Sequence, residues 1–217
     1  MNETTVGTLV IGITGGIGCG KTTVSQFISE LGYKVISTDE KAKELMVSDY
    51  SVKNKILRAF GSESYNSDGS LNSQYISDLV FSKTGEHKKN LALLNSIVHP
   101  PVIDFMIEEV KKYEEKGVPI LFIESALIYE AELEEGFDFV IVVDSTDENA
   151  IQRVILRTGM SREDVLLRMK QQISQQEKKQ LADFVIENNG TIEELKNAVK
   201  TLMNIVKNLK PKIESNK

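Results

Sequence analysis

The stretch TGGIGCGKTT at residues 14–23 constrains this chain more than any other part of it. Gly15, Gly20, Lys21 and Thr22 have the spacing G-x-x-x-x-G-K-[ST], between an apolar run and a helical pattern. Glycines let backbone N–H groups turn inward and approach a phosphate closely, and the helix that follows adds its positive dipole end. The pattern therefore predicts a loop that binds nucleotide phosphates, with Lys21 reaching the β- and γ-phosphates and Thr22 ligating Mg²⁺.

Cys19 lies between the glycines of this loop. One interpretation is a small side chain that the loop tolerates, with the backbone N–H as the useful group. The other is a thiol whose pKa is lowered by the helix N-terminus and by Lys21, which would make it sensitive to oxidation or alkylation. The sequence leaves both hypotheses open.

Apolar runs alternate with helical patterns along the chain, which is typical of a parallel sheet covered by helices. Five runs are predicted strands: 8–14, 33–38, 118–125, 137–144 and 182–189. Because 118–125 and 137–144 are apolar on both faces, they are expected to be central. The last helix is predicted to begin at Thr191 with a capping box to Glu194. The fold class is therefore α/β: a three-layer α/β/α P-loop NTPase with a five-stranded parallel sheet, a helical substrate-binding insert and a helical lid.

Two regions interrupt the alternation and divide the chain. Residues 40–116 are helical in pattern, broken at GSESYNSDGS and at HPP, and are too long for one crossover, which predicts an inserted helical subdomain. The segment 145–181 is rich in Arg, Lys and Gln, which predicts a mobile helical hairpin outside the core. The predicted divisions are a nucleotide-binding core (1–39, 117–150 and 182–209), the insert (40–116), a lid (151–181) and a flexible tail (210–217).

Composition limits the partners and the compartment. The net charge is −6, which argues against broad nucleic-acid binding, and one cysteine cannot form an internal disulfide. The start of the chain lacks a basic segment, and its apolar stretch is short and broken by glycine, which predicts neither a signal sequence nor a membrane helix. We expect a cytoplasmic protein, a monomer or weak homo-oligomer, with no membrane or nucleic-acid partner.

Three classes of nucleotide-binding protein use such a loop. A GTPase switch is expected to carry an N-K-x-D sequence, which this chain lacks, and a motor or regulatory ATPase usually has an arginine finger and sensor elements. A small kinase is expected to have an acid after the second strand, a helical insert and an arginine-rich lid. This chain has all three, so the pattern favours a kinase.

The acid is Asp39, which follows the second predicted strand. A carboxylate at that edge of a sheet can accept a hydroxyl proton or position the hydroxyl for in-line attack, and it can also cap the next helix. The lid offers planar, permanently charged groups for phosphoryl oxygens, although one or two are expected to lie on a solvated face. These groups are Arg153, Arg157, Arg162 and Arg168.

Six segments occur in order along nearly the whole chain: VIGITGGIGCGKTTV, GYKVISTD, LLNSIVHPPV, FDFVIVVD, RVILRTGMS and ADFVIENNGTIEEL. As a set they resemble the dephospho-CoA kinase family. The resemblance implies transfer of the γ-phosphoryl group of ATP to the ribose 3′-hydroxyl of dephospho-CoA, with Mg²⁺, on a nucleotide-kinase-like fold. The alternatives are a kinase of another nucleoside or nucleotide, and a nucleotide-binding protein without transfer.

The resemblance also implies roles for individual residues. Asp39 matches the family's base for the 3′-hydroxyl, His99 with Pro100 matches a pair that lines the acceptor side, and Asn188 matches an asparagine near adenine. Arg153 and Arg157 match lid arginines. The expected ATP-phosphate contacts are Gly15, Gly16, Gly18, Cys19, Gly20, Lys21, Thr22 and Thr23.

The chain departs from the family pattern in three places. The family usually reads D-A-D where this chain reads Ser37-Thr38-Asp39, so only the second acid remains. Lys43 stands where Arg is common, which keeps the positive charge but loses the two-pronged hydrogen bonding of a guanidinium group. The motif D-x-P-L-L-F-E reads ESALIYE from Glu124 to Glu130. Glu124 is either a partner of Mg²⁺ or a buried structural acid.

Two further residues keep open alternatives. His99 is expected at a break between helices because Pro100 follows it, as a turn residue or as a substrate contact. Asp144, at the end of a predicted strand, is expected to cap the next helix or to lie near the metal.

Overall fold

The computed structural model describes residues 7–81 and 85–212 of the 217-residue chain. Residues 213–217 of the predicted tail lie outside these ranges. The described residues form two compact units, one containing the chain up to Ser37 and from Val110 onward, and the other Thr38–Glu109.

The first unit is built on a parallel sheet with the strand order β2-β3-β1-β4-β5. The strands are β1 (Leu9–Thr14), β2 (Lys34–Ser37), β3 (Ile120–Glu124), β4 (Phe139–Asp144) and β5 (Phe184–Glu187). Every residue of β1 and β3 is buried, as expected for strands covered on both faces. The predicted α/β class and the interior positions of 118–125 and 137–144 are confirmed.

Helices of the first unit are α1 (Lys21–Glu30), α6 (Asp147–Thr158), α7 (Arg162–Met169), α8 (Gln175–Leu181) and α9 (Ile192–Val206). They pack on this sheet, except α7, which packs against α6 through Val165. One core cluster joins alternate residues of the strands, such as Ile11 and Phe122, to Val24 of α1 and Val199 of α9. The predicted capping box at Thr191 and Glu194 is present and fixes the start of α9.

The second unit is helical and has its own core. It contains α2 (Thr38–Ser48), α3 (Tyr50–Phe60), α4 (Ser73–Val80) and most of α5 (His87–Glu115). Val52, Ile56 and Ile76 pack with residues of α5 in one cluster. Asp49 caps α3 through the Val52 amide, and Asn72 caps α4 through the Tyr75 amide, so both helices begin where the sequence supplies a side-chain acceptor.

Helix α5 passes through the two prolines at which a break was expected. Pro100 and Pro101 lie inside it, so the prediction that His99 marks a helix boundary is wrong. Proline removes one N–H donor and crowds the carbonyl four residues earlier, which opposes a helix. Burial of Ile97, Val98 and Val102 in the core of the second unit offsets that cost.

Helix α5 is also the one helix in the described ranges that is long and apolar enough to cross a membrane. Length and composition alone are weak evidence, because core helices of soluble proteins pass the same test. Here Leu91, Leu94 and Met106 pack against the buried cluster of the helical unit.

Candidate active site

The phosphate loop joins the end of β1 to the start of α1, as the sequence predicts. Gly18 and Gly20 have φ angles of 79° and 97°, in the left-handed region that glycine adopts without strain. A Cβ atom at Gly18 would meet the carbonyl oxygen of Ala150, and one at Gly20 would meet Nδ2 of Asn188. Both positions therefore require glycine on grounds of backbone angle and of space.

Lys21 is the first residue of α1, and it is only 9% exposed. Its Nζ donates to the carbonyl oxygens of Gly15 at 2.9 Å and Gly16 at 3.2 Å, so the side chain folds back over its own loop. The ammonium group and the positive end of α1 thus act on the same small volume, which suits an anion.

Thr22 and Glu124 form the second polar contact at this edge of the sheet. The Thr22 hydroxyl donates to Oε1 of Glu124 at 2.9 Å, and Glu124 is 4% exposed. Glu124 ends β3 and lies in register with Ile13 of β1, which places it directly beside the loop. Hydroxyl and carboxylate oxygens are ligands that Mg²⁺ prefers, so the chemistry of this pair fits a magnesium ion. Among the described residues, no group of three or more His, Cys, Asp or Glu side chains is arranged to hold a metal.

Cys19 belongs to the hydrophobic core of the first unit. Its side chain is 3% exposed and packs in the cluster that contains Ile11 and Val24. Burial raises the pKa of the Cys19 thiol, and this effect exceeds the lowering by the nearby Lys21 charge. The hypothesis of an activated, low-pKa thiol is therefore wrong, and the side chain serves as a small apolar group.

Asn188 contacts the loop directly, and Arg153 contacts Asn188. Nδ2 of the buried Asn188 donates to the Cys19 carbonyl at 2.8 Å. The Arg153 guanidinium donates to the Asn188 carbonyl at 2.8 Å and to the Ser145 hydroxyl at 3.0 Å. These contacts support the loop from the side of β5. The predicted contacts of Asn188 with adenine and of Arg153 with phosphate remain predictions.

The other arginines of the predicted lid have different surroundings. Arg157 is exposed in the last turn of α6. Arg162 makes a two-pronged ion pair with Glu148, with contacts of 3.1 and 2.7 Å, and both side chains are largely exposed. The pKa of Glu148 falls to about 2, first through the hydrogen bond from Arg162 and then through that from Gln152. Burial lowers the pKa of Arg168.

Asp144 does not cap α6, contrary to expectation. The cap is Thr146, whose side chain accepts from the Asn149 amide. Asp144 instead accepts from Nζ of Lys179 at 2.7 Å, and this hydrogen bond is the main cause of a raised pKa at Lys179. The reason is position: Asp144 is still the last residue of β4, and Thr146 is the residue at which the chain turns into the helix.

The second unit contains three of the predicted site residues. Asp39 is half-buried in the first turn of α2, and Lys43 is exposed one turn later. His99 is half-buried inside α5, and burial lowers its pKa, which favours the neutral imidazole. Their roles on the acceptor side remain predictions.

Two glutamines that the sequence reasoning did not single out contact the loop directly. The Gly16 amide donates to Oε1 of Gln175, and the Ile17 amide donates to Oε1 of Gln172, each at 2.9 Å. Both lie in the predicted lid, where one glutamine among several carries no pattern that would distinguish it.

Comparison with known proteins places this geometry in a family. The sequence profile of the family described as dephospho-CoA kinase matches residues 9–194. A dephospho-CoA kinase of Salinibacter ruber is 38% identical over 186 residues, covering 86% of this chain and 92% of that relative. The chain belongs to the dephospho-CoA kinase family.

Solved structures share the fold of this family member. The crystal structure of TT1252 from Thermus thermophilus is 32% identical with a TM-score of 0.75, covering 92% of this chain and 98% of that one. Dephospho-CoA kinase from Campylobacter jejuni has the same fold at 23% identity, with a TM-score of 0.65, 91% of this chain and 96% of that one. The predicted resemblance is confirmed, and the matched range, residues 9–194, spans the positions of the predicted site residues, whose roles remain predictions.

Proposed function

We propose that this protein transfers the γ-phosphoryl group of ATP to the ribose 3′-hydroxyl of dephospho-CoA, giving coenzyme A and ADP as the last step of coenzyme A synthesis. The observation that carries the proposal is membership of the dephospho-CoA kinase family over residues 9–194. The complete phosphate loop supports it, because both glycine turns, Lys21 and Thr22 have the geometry of an anion cradle.

The phosphate side of the reaction falls to the loop and the start of α1. Loop amides and the Lys21 ammonium neutralise negative charge on the β- and γ-phosphates. Since the transition state of phosphoryl transfer is loose, catalysis comes mainly from positioning and electrostatics. The buried position of Lys21 strengthens its charge effect, because little water screens it.

Magnesium is the proposed metal, held by the Thr22 hydroxyl with Glu124 beside it. When bound, the ion would supply positive charge that offsets the negative charge of the phosphates. Glu124 accepts the Thr22 hydrogen bond, which orients the hydroxyl oxygen and leaves its lone pairs for the metal.

Asp39 is the proposed base for the acceptor hydroxyl. The chain reaches Asp39 two residues after Ser37, the end of β2, and Ser37 is in register with Glu124. In the proposed step the 3′-oxygen bonds to the γ-phosphorus, the bond to the β–γ bridging oxygen breaks, the hydroxyl proton passes to Asp39, and ADP leaves.

The remaining predicted site residues are proposed to bind the two substrates. Arg153 and Arg157 would contact transferring phosphoryl oxygens, and Asn188 would lie near adenine. Lys43 and His99, in the predicted insert, would contact dephospho-CoA. We further propose a cytoplasmic enzyme, monomeric or weakly self-associating, that acts without nucleic acid or membrane. The net charge of −6 supports the part of this proposal that excludes a nucleic-acid partner.

Release of ADP separates this proposal from its alternatives. Purified protein with ATP and Mg²⁺ is given dephospho-CoA, a panel of nucleosides and nucleotides, or no acceptor. We expect ADP release that depends on dephospho-CoA. Release that depends on another acceptor would indicate a different kinase, and no release with any acceptor would indicate a nucleotide-binding protein without transfer.

Replacement of Asp39 by Asn tests the proposed base. The amide cannot accept the proton, so we expect kcat to fall at least about a hundredfold, while ATP affinity stays within about twofold. Replacement of Glu40, the exposed neighbour, by Gln is the matched control. Normal turnover in the Asp39→Asn variant would remove Asp39 from the mechanism.

A further inference from the structure

Two glutamine side chains that lie much later in the sequence accept hydrogen bonds from the first half of the phosphate loop. Oε1 of Gln175 accepts from the Gly16 amide, and Oε1 of Gln172 accepts from the Ile17 amide, both at 2.9 Å. The loop and the two glutamines are separated by more than 150 residues in sequence. Unpaired amides in a glycine-rich loop leave its conformation undetermined, so these contacts select one conformation.

The Gln175 side chain is itself fixed in orientation. Its Nε2 donates to the Val143 carbonyl at 2.8 Å, near the end of β4. With its nitrogen on a carbonyl and its oxygen on an amide, the side chain satisfies both partners in one orientation only. Gln175 therefore links the loop to the rigid central part of the sheet.

The backbone that carries the glutamines is anchored by a buried ion pair. Nζ of Lys178, which is 0% exposed, lies 2.6 Å from Oε1 of Glu130 and also donates to the Ala126 carbonyl at 3.2 Å. The same carboxylate oxygen accepts from the Ile173 amide at 3.1 Å. Glu130 therefore anchors the chain at Ile173, next to Gln172, and at Lys178, three residues after Gln175. A buried lysine whose charge is paired in this way resists displacement, because separation would leave the charge without compensation.

Residues 145–181 were expected to form a helical hairpin outside the core. The buried Lys178 shows that this expectation is wrong for the segment around that residue.

We propose that Gln172 and Gln175 are positioning residues that hold the Gly16–Ile17 part of the phosphate loop in its binding conformation before nucleotide arrives. With these two amides taken, the phosphates fall to later amides of the loop, such as those of Gly18 and Gly20, instead of the Gly16 amide named among the expected contacts. The Cys19 amide donates to the Gly16 carbonyl at 3.3 Å and so holds the same turn. Binding then costs less conformational entropy, because the loop is already ordered. The inference rests on the proposed role of the loop in ATP binding and names residues that act through it rather than on the substrate.

Hydrogen exchange on the unmodified, nucleotide-free protein is the first test. We expect the Gly16 and Ile17 amides to be protected although they lie in a glycine-rich loop. Exchange of both amides at the rate of an unstructured peptide would overturn the proposal without any variant.

The second test replaces each glutamine by methionine, which has similar length and no amide. We expect each variant to lose protection at its own loop amide and to bind ATP about tenfold more weakly by calorimetry, the size of effect expected for one hydrogen bond. The KM for ATP should rise by the same factor, while the KM for the acceptor stays unchanged. Replacement of the exposed Gln176 by Met is the matched control and should alter none of these values.

The outcomes separate this inference from the proposed function. ATP affinity and loop protection in the Gln172→Met and Gln175→Met variants equal to those of the Gln176→Met control would overturn the positioning role. Calorimetry needs no acceptor, so it reports on this inference even if dephospho-CoA proves not to be phosphorylated.

Discussion

At the scale of single residues, the side chains proposed to bind ATP and its metal already make hydrogen bonds within the protein. Lys21 donates to two loop carbonyls, and Thr22 donates to Glu124. Such contacts hold the side chains near their working positions without a ligand, so that binding requires exchange of hydrogen-bond partners rather than folding of the site.

Replacement of Thr22 by Val tests the proposed metal ligand. The change keeps the shape of the side chain and removes its oxygen, so we expect kcat to fall about a hundredfold and the Mg²⁺ concentration needed for half-maximal rate to rise. The measurement is the rate against Mg²⁺ concentration at saturating ATP. Thr22→Ser, which keeps the hydroxyl, should retain most of the activity; an equal loss in both variants would contradict metal binding through this oxygen.

The Cys19 thiol is expected to be unreactive in the folded protein. It is 3% exposed, and burial raises its pKa, so both access and the thiolate fraction are reduced. Labelling with a thiol reagent at pH 7.5 should be at least about a hundredfold slower than in urea-unfolded chain, since reaction requires opening of the core. Fast labelling of the native protein that ATP prevents would contradict this account.

At the scale of elements, α5 shows how packing outweighs local preference. Two consecutive prolines argue for a break, yet apolar burial keeps one helix from His87 to Glu115. The local penalty should therefore still be present in the folded protein as a cost to stability.

Replacement of the exposed Pro100 by Ala should stabilise the protein. Alanine restores an N–H for the Ser96 carbonyl and relieves the crowding, and in a helix interior these two effects are worth about 3 kcal/mol. The unfolded chain becomes more flexible without this proline, which costs about 1 kcal/mol of stability. We expect a gain of about 1–2 kcal/mol in the free energy of unfolding in urea. Pro211→Ala, outside any helix, is the control; a loss of stability in Pro100→Ala would contradict a continuous α5.

The ion pair between α6 and α7 predicts a specific pH dependence. The Glu148 pKa is about 2 in the folded protein and about 4.5 when unperturbed, so its stabilisation is complete above pH 4.5 and is lost as the pH falls toward 2. In Arg162→Gln, we expect NMR titration to show the Glu148 pKa rising toward 4.5. Arg162→Lys should give an intermediate value, because it keeps the charge and loses the fork. An unchanged pKa in Arg162→Gln would show that the pair does not form in solution.

Most elements could be predicted because their signals are local and repeated. Each of the five strands lies within two residues of its predicted bounds, since apolar runs of that length between turns have few other uses. The capping box at Thr191 could also be predicted from the sequence. The continuity of α5 could not, because it depends on distant core contacts rather than on the His-Pro-Pro sequence.

At the scale of the whole molecule, the parts of the site differ in how far sequence could find them. The phosphate loop is contiguous and carries its own spacing, so it was predicted together with Lys21 and Thr22. Gln172 and Gln175 reach the same loop only because β4 and α8 bring the chain back beside it. Such contacts between single polar residues leave no periodic trace in the sequence.

The two units also divide the proposed chemistry. The ATP side belongs to the unit built on the sheet, whereas Asp39, Lys43 and His99 belong to the helical unit. The proposed transfer between two substrates therefore requires both units, and binding of ATP alone would not establish it.

The chemical structure of the product tests this transfer. Purified protein is incubated with ATP, Mg²⁺ and dephospho-CoA, and the product is analysed by phosphorus and proton NMR. We expect one new phosphomonoester, with phosphorus coupled to the proton on the ribose 3′ carbon, formed in equal amount to ADP. A phosphate at another position, or ADP formed without a phosphorylated acceptor, would contradict it.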